Sequence, residues 1–238
     1  MLQKVSMNYT YGGRKMKKAL IIVGAACVAL AGVAVGDTVI MNFESGTAGT
    51  SLGAKWEPTV SGTTTGAANP VFQYSNEQVK SGNLSGKLGW DWSGASGGLV
   101  RIQPAANWGA GNLLADHTSE PYVGFAIYAS GSGDIMQFYM GEGDQGAGPY
   151  ETFKADYYLT FTGWKVVERN ILTDPVVAWV NGDGTLNSTC SFSGWFWKQQ
   201  APAGTVVYYL DDISFTSASR NPDLLPTPAA GVADWAVY

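Results

Sequence analysis

The sequence is short of charge, histidine and cysteine. Only 14% of its 238 residues are Asp, Glu, Lys or Arg, against about a quarter in an average soluble domain. A single histidine, His117, excludes a histidine-built zinc centre, which needs several nitrogen or sulfur ligands. No G-x-S-x-G turn accompanies it, so a Ser-His-Asp triad has no support, and its Leu114–Thr118 context reads as a surface loop. Neither a P-loop nor a dinucleotide fingerprint is present. The two cysteines, Cys27 and Cys190, are too far apart in role to form a framework, because Cys27 lies in a segment expected to be removed. Cys190 is then alone, and a buried unpaired thiol is expected. No G-X-Y period runs through the chain, which excludes collagen, and no amphipathic helical period follows Asp37.

What the chain has in quantity is glycine and aromatic surface: 31 glycines, 9 tryptophans, 12 tyrosines and 9 phenylalanines, within 45% hydrophobic residues. That is ample for a packed core and excludes disorder. Arg14-Lys15-Met16-Lys17-Lys18 precedes a small-apolar run from Ala19 to Val35, which ends Ala34-Val35-Gly36. A cationic start, an apolar middle and small residues before the cut describe a secretory signal peptide. The expected organisation is therefore 1–36 as upstream extension and helical signal segment, 37–215 as one domain, and 216–238 as a tail ending in Trp235-Ala236-Val237-Tyr238. Residues 1–36 carry five basic residues and no acidic one. The rest of the chain has nine basic residues against nineteen acidic, a formal charge of −10. Such a surface disfavours nucleic acid and anionic membrane, and after signal cleavage no membrane segment is expected.

The segments after Asp37 alternate in polarity and are rich in β-branched and aromatic residues. Expected strands are Thr38 to Glu44, Lys87 to Trp92, Gly98 to Gln103, Tyr122 to Ala129, Asp134 to Met140, Tyr157 to Phe161, Lys165 to Asn170, Val176 to Val180, Ser193 to Lys198 and Val206 to Phe215. Ser45 to Ala68 reads as a long loop with a short strand near Trp56. Short strands with turn signals at this spacing predict an all-β fold, an antiparallel β-sandwich of the jelly-roll kind.

Paired carboxylates are the one catalytic route left, since glycoside hydrolysis needs only two placed acids. Glu142 and Asp144 sit between glycines, with Glu151 nearby, and flanking glycines predict mobile, hydrated acids. The chain is therefore read as a non-enzyme. Asp211-Asp212 is more specific, because alternation inside an apolar strand sends one of the two inward. A buried carboxylate without a partner is costly, and a bound cation removes the cost.

Four ordered motifs, Phe43-Glu44, Gly82 to Leu88, Thr162 to Val167 and Tyr209 to Ile213, resemble those of calcium-containing β-jelly-roll carbohydrate-binding modules of galactose-binding-like fold. The resemblance implies a structural calcium that ties the first strand to the last, with Glu44, Asp211 and the Ser81–Asn83 turn as ligands. It also implies a concave face that binds an extracellular polysaccharide or glycan. Sugar binding needs flat aromatic faces and a few amides or carboxylates. Tyr208 is assigned to that face as opposite Ile213 and Phe215, and Gln137 and Tyr139 as opposite Met136, Phe138 and Met140. Trp92 is a further candidate, and Trp90 and Trp164 are assigned to the core. Trp195 and Trp197 form an exposed pair if Phe196 is in the core, and ordinary packing if it is not. The expectation is a secreted, non-catalytic, calcium-containing glycan-binding protein. The alternative is a self-assembling subunit of an extracellular layer, sheath or filament, in which edge strands pair between copies.

Overall fold

The chain divides into two units, residues 1–34 and 35–238. The computed structural model describes residues 37–52, 64–94, 97–102, 115–142, 149–187 and 189–220, all within the second unit. The expected signal segment, Trp56, Trp108, Asp144 and the tail from 221 onward lie outside the described residues.

Among the described residues the structure is all-β, two antiparallel sheets packed face to face. The first sheet runs β10 (Thr162–Asn170), β6 (Tyr122–Ser130), β13 (Gly204–Thr216), β3 (Ser85–Trp92), β2 (Ala67–Ser75), and β1 (Thr38–Met41) also pairs with β13. The second runs β11 (Val176–Ala178), β8 (Tyr150–Phe153), β7 (Ile135–Glu142), β12 (Thr189–Lys198), β4 (Leu99–Ile102), with β5 (Ala115–Asp116) on β12 and β9 (Tyr157–Tyr158) on β7. The expected antiparallel sandwich is present. β2 and β8 were not expected, and β1 ends at Met41 instead of Glu44. Phe43 takes a φ of 62°, which breaks the strand and turns its ring into the core.

The period-two pattern places the core directly. Leu88, Trp90 and Trp92 of β3, Val123, Phe125 and Ile127 of β6, and Met136, Phe138 and Met140 of β7 all face the space between the sheets. Trp90 packs edge-on against both Trp92 and Trp197, each at 5.5 Å between ring centroids. The aromatic surplus is thus spent largely inside.

One interior strand of each sheet, β12 and β13, carries a β-bulge that reverses which residues face inward. In β12 the register against β7 skips between Phe192 and Gly194. Cys190 and Phe192 face the core before the skip, and Trp195 and Trp197 after it. In β13 the register against β6 skips between Asp211 and Ser214, and Asp212 has a φ of 50°. Val206, Tyr208 and Leu210 face inward before it, Ile213 and Phe215 after it. One extra residue exchanges the two faces of a strand.

Candidate functional site

Bulges, ordinary alternation and a covering loop together bury the expected ligand-facing residues. Tyr208 does not oppose Ile213 and Phe215. The bulge between them puts all three on the same side, and Tyr208 is fully buried. Its hydroxyl donates to Asp134 Oδ2 at 2.6 Å, and the Trp92 indole nitrogen donates to the same oxygen at 2.8 Å. Trp92 is therefore a core residue as well. Trp195 and Trp197 are also in the core, and Phe196 takes the other face. Gln137 and Tyr139 do lie on the outer face of the second sheet, but a roof covers them. Trp179 lies 4.9 Å from the Tyr139 ring, and Phe196 and Tyr150 close the cluster. Gln137 is buried and donates to Asp156 Oδ1 at 2.9 Å. None of the six presents a free face on which a sugar could stack.

Three other expectations change. His117 is not a surface residue: it is buried with its ring stacked on Phe215, and Nε2 lies 3.1 Å from the Cys190 carbonyl oxygen. Glu142 and Glu151 are not mobile and hydrated. Glu142 accepts from the Asn187 backbone N–H and Glu151 from that of Asp183, both on the interior side of the sheet. Cys190 is buried as expected, and burial, with the carboxylates of Glu142 and Glu151, pushes its thiol up to about 12. It carries no thiolate near neutral pH.

Trp164 is the last correction and the useful one. It is half-exposed on the outer face of the first sheet, where the strand register aligns five side chains in a row. Trp164 stands beside Tyr128, Tyr128 beside Tyr209, Tyr209 beside Lys87, and Lys87 beside Gln73. At strand spacings near 4.8 Å the row spans roughly 19 Å. The Trp164 and Tyr128 rings meet edge-on at 5.8 Å, and Tyr128 and Tyr209 at 5.7 Å. Glu77 fixes the polar end. It takes the Lys87 ammonium at 2.8 Å and the Tyr209 hydroxyl at 2.6 Å, and these two hydrogen bonds hold its carboxyl below the usual range. Alongside the row lies a groove of about 410 Å³, with Gly89 at its floor and Val71 and Val207 beside it. Its far end is Asp91, which accepts from Asn69 Nδ2 at 2.7 Å and from the Thr205 hydroxyl. Tyr209 is itself only 7% exposed, so Trp164 and Tyr128 are the rings with open surface. With the amides and carboxylates held beside them, they form a surface that can stack on apolar ring faces and hydrogen-bond hydroxyls.

The residues expected to hold calcium do not fit it. Asp211 Oδ2 accepts the backbone N–H groups of Lys80 and Ser81, each at 3.1 Å, and Oδ1 accepts that of Asp212 at 2.9 Å. Glu44 Oε1 accepts those of Asn83 and Leu84, each at 3.0 Å. The Asn83 side chain turns its Nδ2 donor, not its oxygen, toward Glu44 at 3.4 Å. Calcium needs six to eight oxygens, and these carboxylates are already answered by N–H groups. Among the described residues no three acidic, histidine or cysteine side chains group as metal ligands.

Two buried acids give the fold a pH dependence. Desolvation, with Glu142 nearby, raises Glu151 from its ordinary 4.5 to about 7, and desolvation raises Asp211 from 3.8 to about 6. A raised folded-state value means that the contribution is full below the unfolded value and is lost as pH rises through the folded one. The melting temperature should therefore fall between about pH 4 and pH 7, and Glu151→Gln should flatten the upper part of that slope. A circular-dichroism melt at each pH checks this, and a rise over the window would contradict it. Glu44, Glu77 and Asp91 are lowered by their hydrogen bonds, so their contribution disappears in strong acid instead.

No protein-family model matches the chain, and no curated protein is similar to it. Solved structures are. The family 11 carbohydrate-binding module of the cellulosomal cellulase Lic26A-Cel5E of Clostridium thermocellum aligns over 78% of this chain and 96% of its own, at 14% identity and a TM-score of 0.52. A family 11 module from the same organism, in complex with a β-1,3-1,4-mixed-linked tetrasaccharide, aligns over 78% and 98%, at 16% identity and a TM-score of 0.51. The fold is that of a β-sandwich carbohydrate-binding module. At such identity the likeness carries the architecture of the sandwich, while the site must be argued from this chain's own residues.

Proposed function

We propose that the protein is a secreted, non-catalytic glycan-binding module whose binding surface is the outer face of the first sheet. The observation that carries this is the Trp164–Tyr128–Tyr209–Lys87–Gln73 row beside the Gly89 groove. A row that crosses five strands suits an extended oligosaccharide better than a single sugar. The β-1,3-1,4-mixed-linked tetrasaccharide in complex with a structural neighbour makes a polysaccharide of that linkage the first to try. The signal-like segment at Ala19–Gly36 supports export. The tie of both Glu142 and Glu151 to backbone N–H groups supports a binding role over hydrolysis.

Affinity electrophoresis in gels with soluble β-glucans, xylan and galactan tests the reading. Retardation is expected in at least one gel. Trp164→Ala and Tyr128→Ala should each weaken it by about tenfold or more, roughly the 1–3 kcal/mol of a lost aromatic stack, with melting temperature nearly unchanged. No retardation in any gel, or full retardation of both variants, would reject this surface.

A further inference from the structure

Family resemblance assigns a calcium ion to the place where the first strand, the last strand and the 80–84 turn meet. In this chain a cation of its own sits beside that place, against the β13 bulge. Arg220 donates from Nη1 to the Asp212 carbonyl at 2.8 Å and from Nη2 to the Ser214 carbonyl at 3.2 Å. Those two carbonyls flank the β13 bulge, where pairing with β6 is interrupted between Asp211 and Ser214. Behind the guanidinium lies Glu168, its side chain only 3% exposed, with Oε2 at 3.6 Å from Nε. The same oxygen accepts the Arg220 backbone N–H at 2.9 Å. Burial draws the guanidinium below its ordinary value, and Glu168, Asp212 and Asp37 oppose this by favouring its charged form. Lys80 lines the adjoining groove together with Asp212 and Arg220.

The other half of the junction is closed by amides. Five backbone N–H groups, those of Lys80, Ser81, Asn83, Leu84 and Asp212, point at the carboxylates of Asp211 and Glu44. The Ser81 hydroxyl adds a bond of 2.7 Å to Asp212 Oδ1. Gly82, at a φ of 66°, has no room for a Cβ, which would strike the Glu44 carboxylate. The turn is moulded onto that side chain. N–H groups on a carboxylate favour its charged form: at Glu44 they hold the carboxyl below its ordinary range, while at Asp211 desolvation outweighs them. A guanidinium beside the junction repels a second cation.

We infer that Arg220 and the amides of the 80–84 turn replace the calcium clamp in this chain, so that β1, β13 and the turn are joined without a divalent ion. The experiment is thermal unfolding of the full chain in EDTA and in millimolar calcium chloride, with calorimetric titration of calcium alongside. The two melting temperatures should agree within about 1 °C, and no binding heat should appear. An ion that bound the folded state at 100 times its dissociation constant would raise the melting temperature by several degrees. Such a rise, reversed by EDTA, overturns the inference. Arg220→Met should lower the melting temperature by more than about 5 °C, and Arg220→Lys by less, since an ammonium keeps the charge but not the fork that reaches two carbonyls. A methionine variant as stable as the parent also overturns it. If that variant does not fold, the calcium titration of the unaltered chain decides alone.

Discussion

Replacing Asp134 with alanine is expected to destabilise the protein by about 4 kcal/mol, on the order of 10 °C in melting temperature for a domain of this size. Asp134 is completely buried, and four donors converge on it. Oδ2 accepts from Trp92 and Tyr208, and Oδ1 accepts the backbone N–H groups of Gln200 and Ala201 at 2.8 and 2.9 Å. It thus ties the turn between β6 and β7 to the turn between β12 and β13, both of which cross from one sheet to the other. Alanine would strand three of those donors away from water, since only the Tyr208 hydroxyl keeps a second partner, Ser132 Oγ at 2.9 Å. Asp134→Asn should cost about half as much, because its amide oxygen can still serve the two backbone groups while its NH₂ faces the indole N–H. Equilibrium denaturation of both variants measures the difference. A loss under about 1 kcal/mol for alanine would mean that the carboxylate's desolvation cancels its bonds.

A comparable loss is expected for Gly194→Ala. Gly194 has a φ of 145°, a conformation that residues with a side chain rarely adopt. An added Cβ would run into the Ile102 carbonyl oxygen of the neighbouring strand and the Tyr139 ring. Neither can yield, because β4 is paired to β12 on that side and Tyr139 is walled in by Trp179, Tyr150 and Phe196. Strain and clash together should exceed about 3 kcal/mol. The same substitution at Gly133, where a Cβ meets nothing, should cost far less despite a φ of 81°, and so separates the two effects. Parallel chemical denaturation of the two variants tests this. Equal losses would show that backbone strain, not the approach of β4, dominates.

These glycines also explain what the sequence revealed and what it hid. The sandwich was legible because Leu88, Trp90 and Trp92, or Met136, Phe138 and Met140, alternate without interruption and end inside as that pattern requires. Alternation carried across the Asp211–Asp212 bulge points Tyr208 outward, whereas the structure turns Tyr209 to the outer face that we propose binds glycan. Two adjacent aspartates in an apolar strand coincide with a break in pairing, which alternation alone does not state. β2 was hidden by Pro70 and Asn69, the latter at a φ of 51°, in an edge strand whose pairing shifts register between Ala68 and Val71. The roof over Tyr139 was not legible at all. Whether an outward ring is exposed depends on where residues 176–187 lie, and no local pattern states that.

The position of β13 has a consequence for how the chain is made. Among the described residues it is the last strand in sequence, yet it sits in the middle of the first sheet, with β6 on one edge and β3 and β1 on the other. Thr38 is paired with Phe215. A nascent chain that ends before residue 204 therefore holds two half-sheets with open edges and an unfilled interior, lacking Tyr208, Leu210, Ile213 and Phe215. Closure has to wait for a long-range contact that spans almost the whole domain, the kind that folds slowly and leaves strand edges open to wrong partners meanwhile. Native structure arrives late in synthesis, and any premature stop before β13 yields a chain with much to aggregate and nothing to fold around.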